Sequence, residues 1–158
     1  VYQGGFNIVG LRYFNVFGPQ QKITSKNLPV ISNWINLLKN KKPLTIYGDG
    51  KAKRDFVYID DVVNANIISA LLIKKNETLN ICSSKSITMN ELYNILSKIH
   101  CNFYPRFNRK PNYTKIRIGD IKKSIGSNNK AKKTIYFKEN LVFIDALSKT
   151  YEWQIKNN

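Results

Sequence analysis

Histidine, cysteine and acidic residues are scarce in this chain, and each scarcity removes a class of chemistry. His100 is the only histidine, and Cys82 and Cys101 are the only cysteines, among 158 residues. They form no Cys-x-x-Cys pair and no His-rich cluster, so a four-ligand structural zinc site cannot be assembled and no metal site is expected. Two isolated thiols fit reduced cysteines in a cytoplasmic compartment, and Cys82, inside an apolar stretch, reads as core filler. No apolar run approaches the ~20 residues of a membrane span, so no membrane partner is expected. No charged-then-apolar leader opens the chain, although a start inside a longer protein would hide one. A glycine-rich dinucleotide turn is also missing: neither GxxGxxG nor GxGxxG occurs, and Gly4-Gly5 does not make one.

Only 10 acidic residues oppose 26 lysines and arginines, which leaves a net charge of +16. One reading is a basic module for nucleic acid or other polyanions. The other is compositional bias toward lysine. Arginine is confined to Arg12, Arg54, Arg106, Arg109 and Arg117. The lysines are spread along the chain, with small clusters at Lys41-Lys42, Lys122-Lys123 and Lys130 to Lys133. A nucleic-acid face concentrates arginine and interleaves stacking aromatics, so a solvated lysine surface is the favoured reading and no nucleic-acid partner is expected.

What is present is an alternation of strand and helix patterns. Asn7 to Val16 is a β-rich run ended by Gly18-Pro19. Leu28 to Lys39 places apolar residues at helical spacing. Leu44 to Tyr47 and Arg54 to Ile59 read as short strands, separated by the turn signal Gly48-Asp49-Gly50. Asp60-Asp61 precedes a helical pattern over Val62 to Ile73 and reads as a pair of helix caps. Leu79 to Cys82 is a further strand. Thr88 to Glu91 is a capping box that opens a helix to about Ile99. Phe103 to Phe107 reads as extended, Asn129 to Thr134 as a short helix, and Leu141 to Trp153 as a closing helix. Strands alternating with helices predict an α/β fold. No linker divides the chain.

Three segments carry a resemblance. They are Gly10-Leu11-Arg12-Tyr13-Phe14-Asn15-Val16-Phe17-Gly18-Pro19, then Pro43 to Gly50 running on to Arg54-Asp55-Phe56-Val57-Tyr58-Ile59-Asp60-Asp61-Val62, and then Arg117-Ile118-Gly119-Asp120-Ile121. In this order and at these distances the chain resembles the extended short-chain dehydrogenases that act on nucleotide sugars, nearest to UDP-N-acetylglucosamine 4-epimerases. The resemblance implies the last strands of a Rossmann-type parallel sheet, near 8–16 and 79–82. It also implies a smaller α/β substrate lobe built from 20–59 and 85–158. The cofactor implied is NAD and the partner a UDP-sugar. The whole enzyme is expected to be a homodimer.

The same resemblance implies roles for individual residues. Phe14 would lie by the nicotinamide, and Asn15 on the pyrophosphate side of the substrate. Asn27 and Leu28 fall where the family's loop reaches the nucleotide. Thr45, Ile46 and Tyr47 match the uracil-binding strand, Arg54 and Arg117 the two pyrophosphate arginines, and Asp120 the ribose carboxylate. Ser124 stands where enzymes specific for plain hexoses carry a bulky tyrosine, and a small residue there leaves room for a 2-acetamido group. These residue types suit the ligand. A guanidinium gives paired charge-assisted hydrogen bonds to a diphosphate, a carboxylate accepts from ribose hydroxyls, and a ring stacks on a base. Plainer roles also stand: Tyr47 as a core aromatic, Arg54 and Arg117 as surface ion pairs, Asn15 as a turn former, Asp120 as a helix cap.

The family reaction implied is redox-neutral epimerisation at C4 through a 4-keto sugar. Its Tyr-x-x-x-Lys pair is not found near the start, where Tyr2 is followed four positions later by Phe6. No catalytic residue is therefore assigned. The chain is read as the C-terminal part of such an enzyme, without the N-terminal cofactor half and inactive alone. Dehydratases and decarboxylases of nucleotide sugars share the same grip and remain the alternative within enzymes.

Overall fold

A computed structural model of the chain describes residues 7–24, 28–107 and 110–157. The fold is α/β. The long initial strand of the sequence reading is in fact two, β1 (Val9–Tyr13) and β2 (Asn15–Phe17), because the chain changes partner at Phe14. β1 pairs in parallel with β6 (Glu77–Ile81), Leu11 opposite Leu79, whereas β2 pairs in parallel with β5 (Phe56–Tyr58), Asn15 opposite Phe56. The expected strand at 54–59 likewise splits into β4 (Lys53–Arg54) and β5, and β4 runs antiparallel to β7 (Ile87–Thr88). β3 (Thr45–Tyr47) pairs in parallel with β8 (Asn112–Thr114).

Two apolar clusters hold these strands. One gathers Trp34, Ile35 and Leu38 of α1 (Val30–Lys39), Leu92, Leu96 and Ile99 of α3 (Met89–Phe103), and Leu147 and Tyr151 of α5 (Phe143–Asn157) around Ile46, Phe17, Phe56 and Tyr58. The other packs Val62 and Ala65 of α2 (Ile59–Leu72) and Ala131 and Ile135 of α4 (Asn129–Ile135) against Leu79 and Ile81. β5 serves both clusters. Phe56 and Tyr58 enter the first, Val57 the second, and all three are buried, because side chains alternate across a strand covered on both faces. The segment immediately before β5 is thereby anchored from two sides.

Two local expectations are corrected. Phe103 ends α3 rather than starting an extended segment, and Phe107 N–H closes a turn on the Tyr104 carbonyl at 3.0 Å. The aromatic run packs around His100 instead: Tyr104 stacks on the imidazole with ring centroids 4.7 Å apart. Asp60 and Asp61 are not caps. α2 already begins at Ile59, and no side-chain hydrogen bond caps it. Asp61 is buried and accepts from the Asn140 backbone N–H at 3.0 Å and the Asn140 amide at 2.9 Å. Burial pushes its carboxyl above the ordinary range, against those hydrogen bonds.

The capping box does form. Thr88 Oγ1 accepts from Glu91 N–H at 3.1 Å, and the Glu91 carboxylate accepts from Thr88 N–H at 2.7 Å. The bonds donated to that carboxylate by the Thr88 N–H and the Thr88 hydroxyl hold the Glu91 carboxyl below its ordinary value of 4.5. Its stabilisation is therefore present above that value and is lost as pH falls through the lower folded value. Thr88→Ala is expected to cost about 1 kcal/mol at neutral pH, and less at pH ~3, in urea titrations. No helix among the described residues is long and apolar enough to cross a membrane. The described residues also hold no cluster of three or more metal-ligating side chains.

Candidate functional site

The site grows out of the tripeptide Lys53-Arg54-Asp55, which the buried strand β5 holds in place. Asp55 is fully buried, with 0% exposure. Its Oδ1 accepts from Ser83 N–H and Ser83 Oγ, both at 2.8 Å, and its Oδ2 accepts from the N–H groups of Ser84 and Gly126, both at 3.1 Å. One carboxylate thus draws the end of β6 and the loop ahead of α4 onto the start of β5. The Asp55 backbone carbonyl accepts from the Asn15 amide at 2.7 Å and from Asn15 N–H at 3.2 Å. Asn15 keeps one amide N–H and its amide oxygen for a ligand. Phe14 lies beside it against Gly126, where an added Cβ would stand 2.6 Å from both the Phe14 ring and Cys82 Sγ. Glycine at 126 is what lets the loop close on that ring.

Arg54 continues the arrangement outward. Its Nη1 donates to the carbonyls of Lys53 at 2.9 Å and Ile121 at 2.5 Å, and Nη2 donates to Asp120 Oδ1 at 2.5 Å. Three of five guanidinium N–H groups are engaged, which leaves Nε–H and one Nη2–H for an anion. Asp120 and Tyr47 line one cleft of about 450 Å³, together with Gly48, Asp49, Lys51, Ala52, Ile116, Ile121 and Lys122. Arg117 lies over the Tyr47 ring, 3.7 Å from its centroid, which is a cation–π contact. Tyr47 is set by the turn that follows β3. Gly48 and Gly50 have φ of +71° and +74°, and a Cβ at Gly50 would overlap Asn90. Asn90 in turn donates to the Asp49 carbonyl at 3.0 Å.

Four of the residues singled out in the sequence therefore form two contacting pairs, Arg117 on Tyr47 and Arg54 on Asp120; Tyr47 and Asp120 line the cleft, whereas Arg117 is outside its lining and Arg54 lines a separate cavity with Phe17, Phe56 and Ser83. Asp120 is no helix cap, and Tyr47 is half-buried at a cleft wall. Ser124 N–H donates to the Lys53 carbonyl at 3.0 Å, but Ser124 is outside the cleft lining. Thr45 and Tyr47 share a face of β3, while the Ile46 side chain is buried in the core at 1% exposure. Any contact from Ile46 to a ligand would come from its backbone. Leu28 is 52% exposed, ahead of α1, and is not drawn into the cleft lining. Asn27 lies outside the described residues.

Residues 2–82 match the NAD dependent epimerase/dehydratase family. The chain belongs to that family.

Solved structures and curated relatives agree with the membership. A UDP-N-acetylglucosamine 4-epimerase from Methanobrevibacter ruminantium, in complex with UDP-N-acetylmuramic acid, is 36% identical with a TM-score of 0.85, over 95% of this chain and 46% of that one. A UDP-glucose 4-epimerase from Thermotoga maritima, with UDP-glucose, is 32% identical with a TM-score of 0.85, over 94% and 46%. A UDP-N-acetyl-alpha-D-glucosaminuronate decarboxylase from Bacillus cytotoxicus is 35% identical over 129 residues, 72% of this chain and 40% of the relative. The chain spans about half the length of the curated relatives it matches. NAD is the cofactor on which the family depends.

Within this epimerase/dehydratase chain, the residues that sequence reading missed are the ones that position others. Asp55 was visible as an acid inside the run Arg54 to Tyr58, between residues that had to be buried. An acid in that setting must collect donors. Gly126 and Asn90 left no signal, since both act through contacts distant in sequence.

Proposed function

We propose that this chain forms the part of an NAD-dependent UDP-sugar 4-epimerase that holds the nucleotide sugar, with a UDP-N-acetylhexosamine as substrate. The observation that carries the reading is the pair of contacts Arg117 on Tyr47 and Arg54 on Asp120, with Tyr47 and Asp120 lining one cleft. Asp120 is the ribose acceptor, Tyr47 the stacking surface, and the free edges of Arg54 and Arg117 the diphosphate ligands. Tyr47 and Arg117 cover each other, so a base that stacks on that ring face displaces Arg117, which then becomes available to the diphosphate. Asn15 offers its remaining amide groups to the same diphosphate or to the sugar.

Such a grip suits a reaction in which the hexose must turn over while the nucleotide stays fixed, because binding energy remote from the reacting carbon restrains the substrate. Phe14 fits a place beside the cofactor: its ring is half-buried and backed by Gly126 and Cys82. NAD supplies reversible hydride acceptance at C4. The residues of this chain supply the binding and an aromatic wall. A decarboxylase of nucleotide-sugar acids would use the same grip, and the Bacillus cytotoxicus relative keeps that reading open.

Ser124 tests the sugar assignment. In the protein that carries this chain, Ser124→Tyr is expected to lower kcat/KM for interconversion of UDP-N-acetylglucosamine and its C4 epimer by about 100-fold. The same change is expected to alter turnover of UDP-glucose by less than about 5-fold. Equal loss on both substrates would remove the acetamido assignment, and absence of either epimerisation in the parent protein would remove the reaction.

A further inference from the structure

The lysine two residues beyond Asp120 has no role in the reading above. Lys53 and Lys123 are Cα partners in a parallel bridge. Lys53 N–H donates to the Lys122 carbonyl at 2.9 Å, and Ser124 N–H donates to the Lys53 carbonyl at 3.0 Å, so the register is held on both sides of the bridge. Side chains alternate across extended backbone. Lys53 and Lys123, paired in the bridge, share one face, and Arg54, the next residue of β4, takes the other. The cleft lining includes Lys122, beside Asp120, Ile121 and Ala52, but neither Lys53 nor Lys123, and Arg54 and Ser124 lie outside it.

The order of these residues along the segment matches the order of groups in a nucleotide sugar. Asp120 is the ribose carboxylate of the proposed site and Ser124 borders the sugar. Lys122 stands between them, and between ribose and sugar lies the diphosphate. The charge balance points the same way. The cleft carboxylates are Asp49 and Asp120, and Asp120 is already paired with Arg54. Lys51 has Asp49 at 3.8 Å, whereas Lys122 has no ion-pair partner among the described residues. Lys122 is a cation in the site's own cleft with no carboxylate to answer it.

Resting on the nucleotide-sugar reading, we infer that Lys122 is a third cation of the diphosphate subsite, in addition to Arg54 and Arg117. It acts differently from them. An ammonium on a flexible stem is a point charge that follows a phosphate rather than fixing its orientation. Its contribution therefore lies in capture and in salt-sensitive affinity, while the guanidinium forks set geometry.

The test is calorimetric titration of UDP, with uridine as the uncharged probe, into the protein carrying this chain and into its Lys122→Gln and Lys123→Gln variants. Lys122→Gln is expected to weaken UDP about 5- to 10-fold at ~50 mM salt and less than about 2-fold at ~500 mM. Lys123→Gln, outside the cleft lining, is expected to stay within about 1.5-fold of the parent, and uridine affinity should not move in either variant. Equal weakening by both variants would reduce the effect to general surface charge and overturn the assignment, as would an unchanged UDP affinity in Lys122→Gln. If the parent protein binds no UDP, the nucleotide-sugar reading itself falls and takes this one with it. If it binds UDP with Lys122 silent, only this one falls.

Discussion

Asp55→Ala is expected to lower folding stability by about 3–5 kcal/mol, the cost of stripping a buried charged acceptor from the donors gathered around it. Four donors converge on the two oxygens of Asp55, three of them backbone N–H groups from Ser83, Ser84 and Gly126. None of these groups recovers a partner from a methyl side chain, and the residue itself has no solvent exposure. Each orphaned buried donor costs about 1–3 kcal/mol. Asp55→Asn keeps the volume but turns an amide NH₂ toward donors, so roughly half of the loss should remain. Urea titration checks this: the midpoint should fall with the slope unchanged. A loss below ~1 kcal/mol would mean that water replaces the carboxylate and that Asp55 does not organise the site. Because Asp55 also seats the loop that carries Gly126 against Phe14, the turnover proposed for the protein that carries this chain should fall along with the stability.

The second large effect is on binding. Arg54→Gln is expected to weaken UDP by about 2–4 kcal/mol, roughly 30- to 1,000-fold, since charge-assisted hydrogen bonds contribute about 1.5–3 kcal/mol each. Part of that loss is electrostatic. Arg54 neutralises Asp120 at 2.5 Å, and without it the Asp120 carboxylate faces the diphosphate unpaired. Adding Asp120→Asn to Arg54→Gln should therefore recover some affinity, at least about 3-fold, even though the ribose loses a charged acceptor. Calorimetry with UDP separates the outcomes. Undiminished affinity in Arg54→Gln would place the diphosphate elsewhere and remove the proposed grip. A double variant weaker than the single would show that Asp120 acts on the ribose alone.

The alternation of strand and helix, the capping box at Thr88 and the turn at Gly48 to Gly50 were legible because each rests on contacts within a few residues. The errors share one physical cause. Phe14 looks like the middle of a strand, but β1 and β2 pair with different strands on either side of it. Asp60 and Asp61 have the composition of caps, yet Asp61 turns to Asn140, 79 positions away. Phe103 to Phe107 has strand propensity, and it is overridden by packing on His100. In each case a non-local partner outweighed a local preference.

The chain's residue types and their spacing determined the family resemblance and the cast of the candidate site, because arginine, aspartate and tyrosine at fixed offsets in three segments carry chemistry that neighbours in sequence can display. Only the tertiary structure decided how those segments meet. It places Arg117 on Tyr47 and Arg54 on Asp120, draws Asn15 to the Asp55 backbone carbonyl and the Gly126 loop to the buried Asp55 carboxylate, and sets Lys122 rather than Lys123 in the cleft lining. Pairing register and burial fix those outcomes. Both depend on which distant strand lies alongside, and a one-residue shift in register would turn every side chain of the segment to the other face.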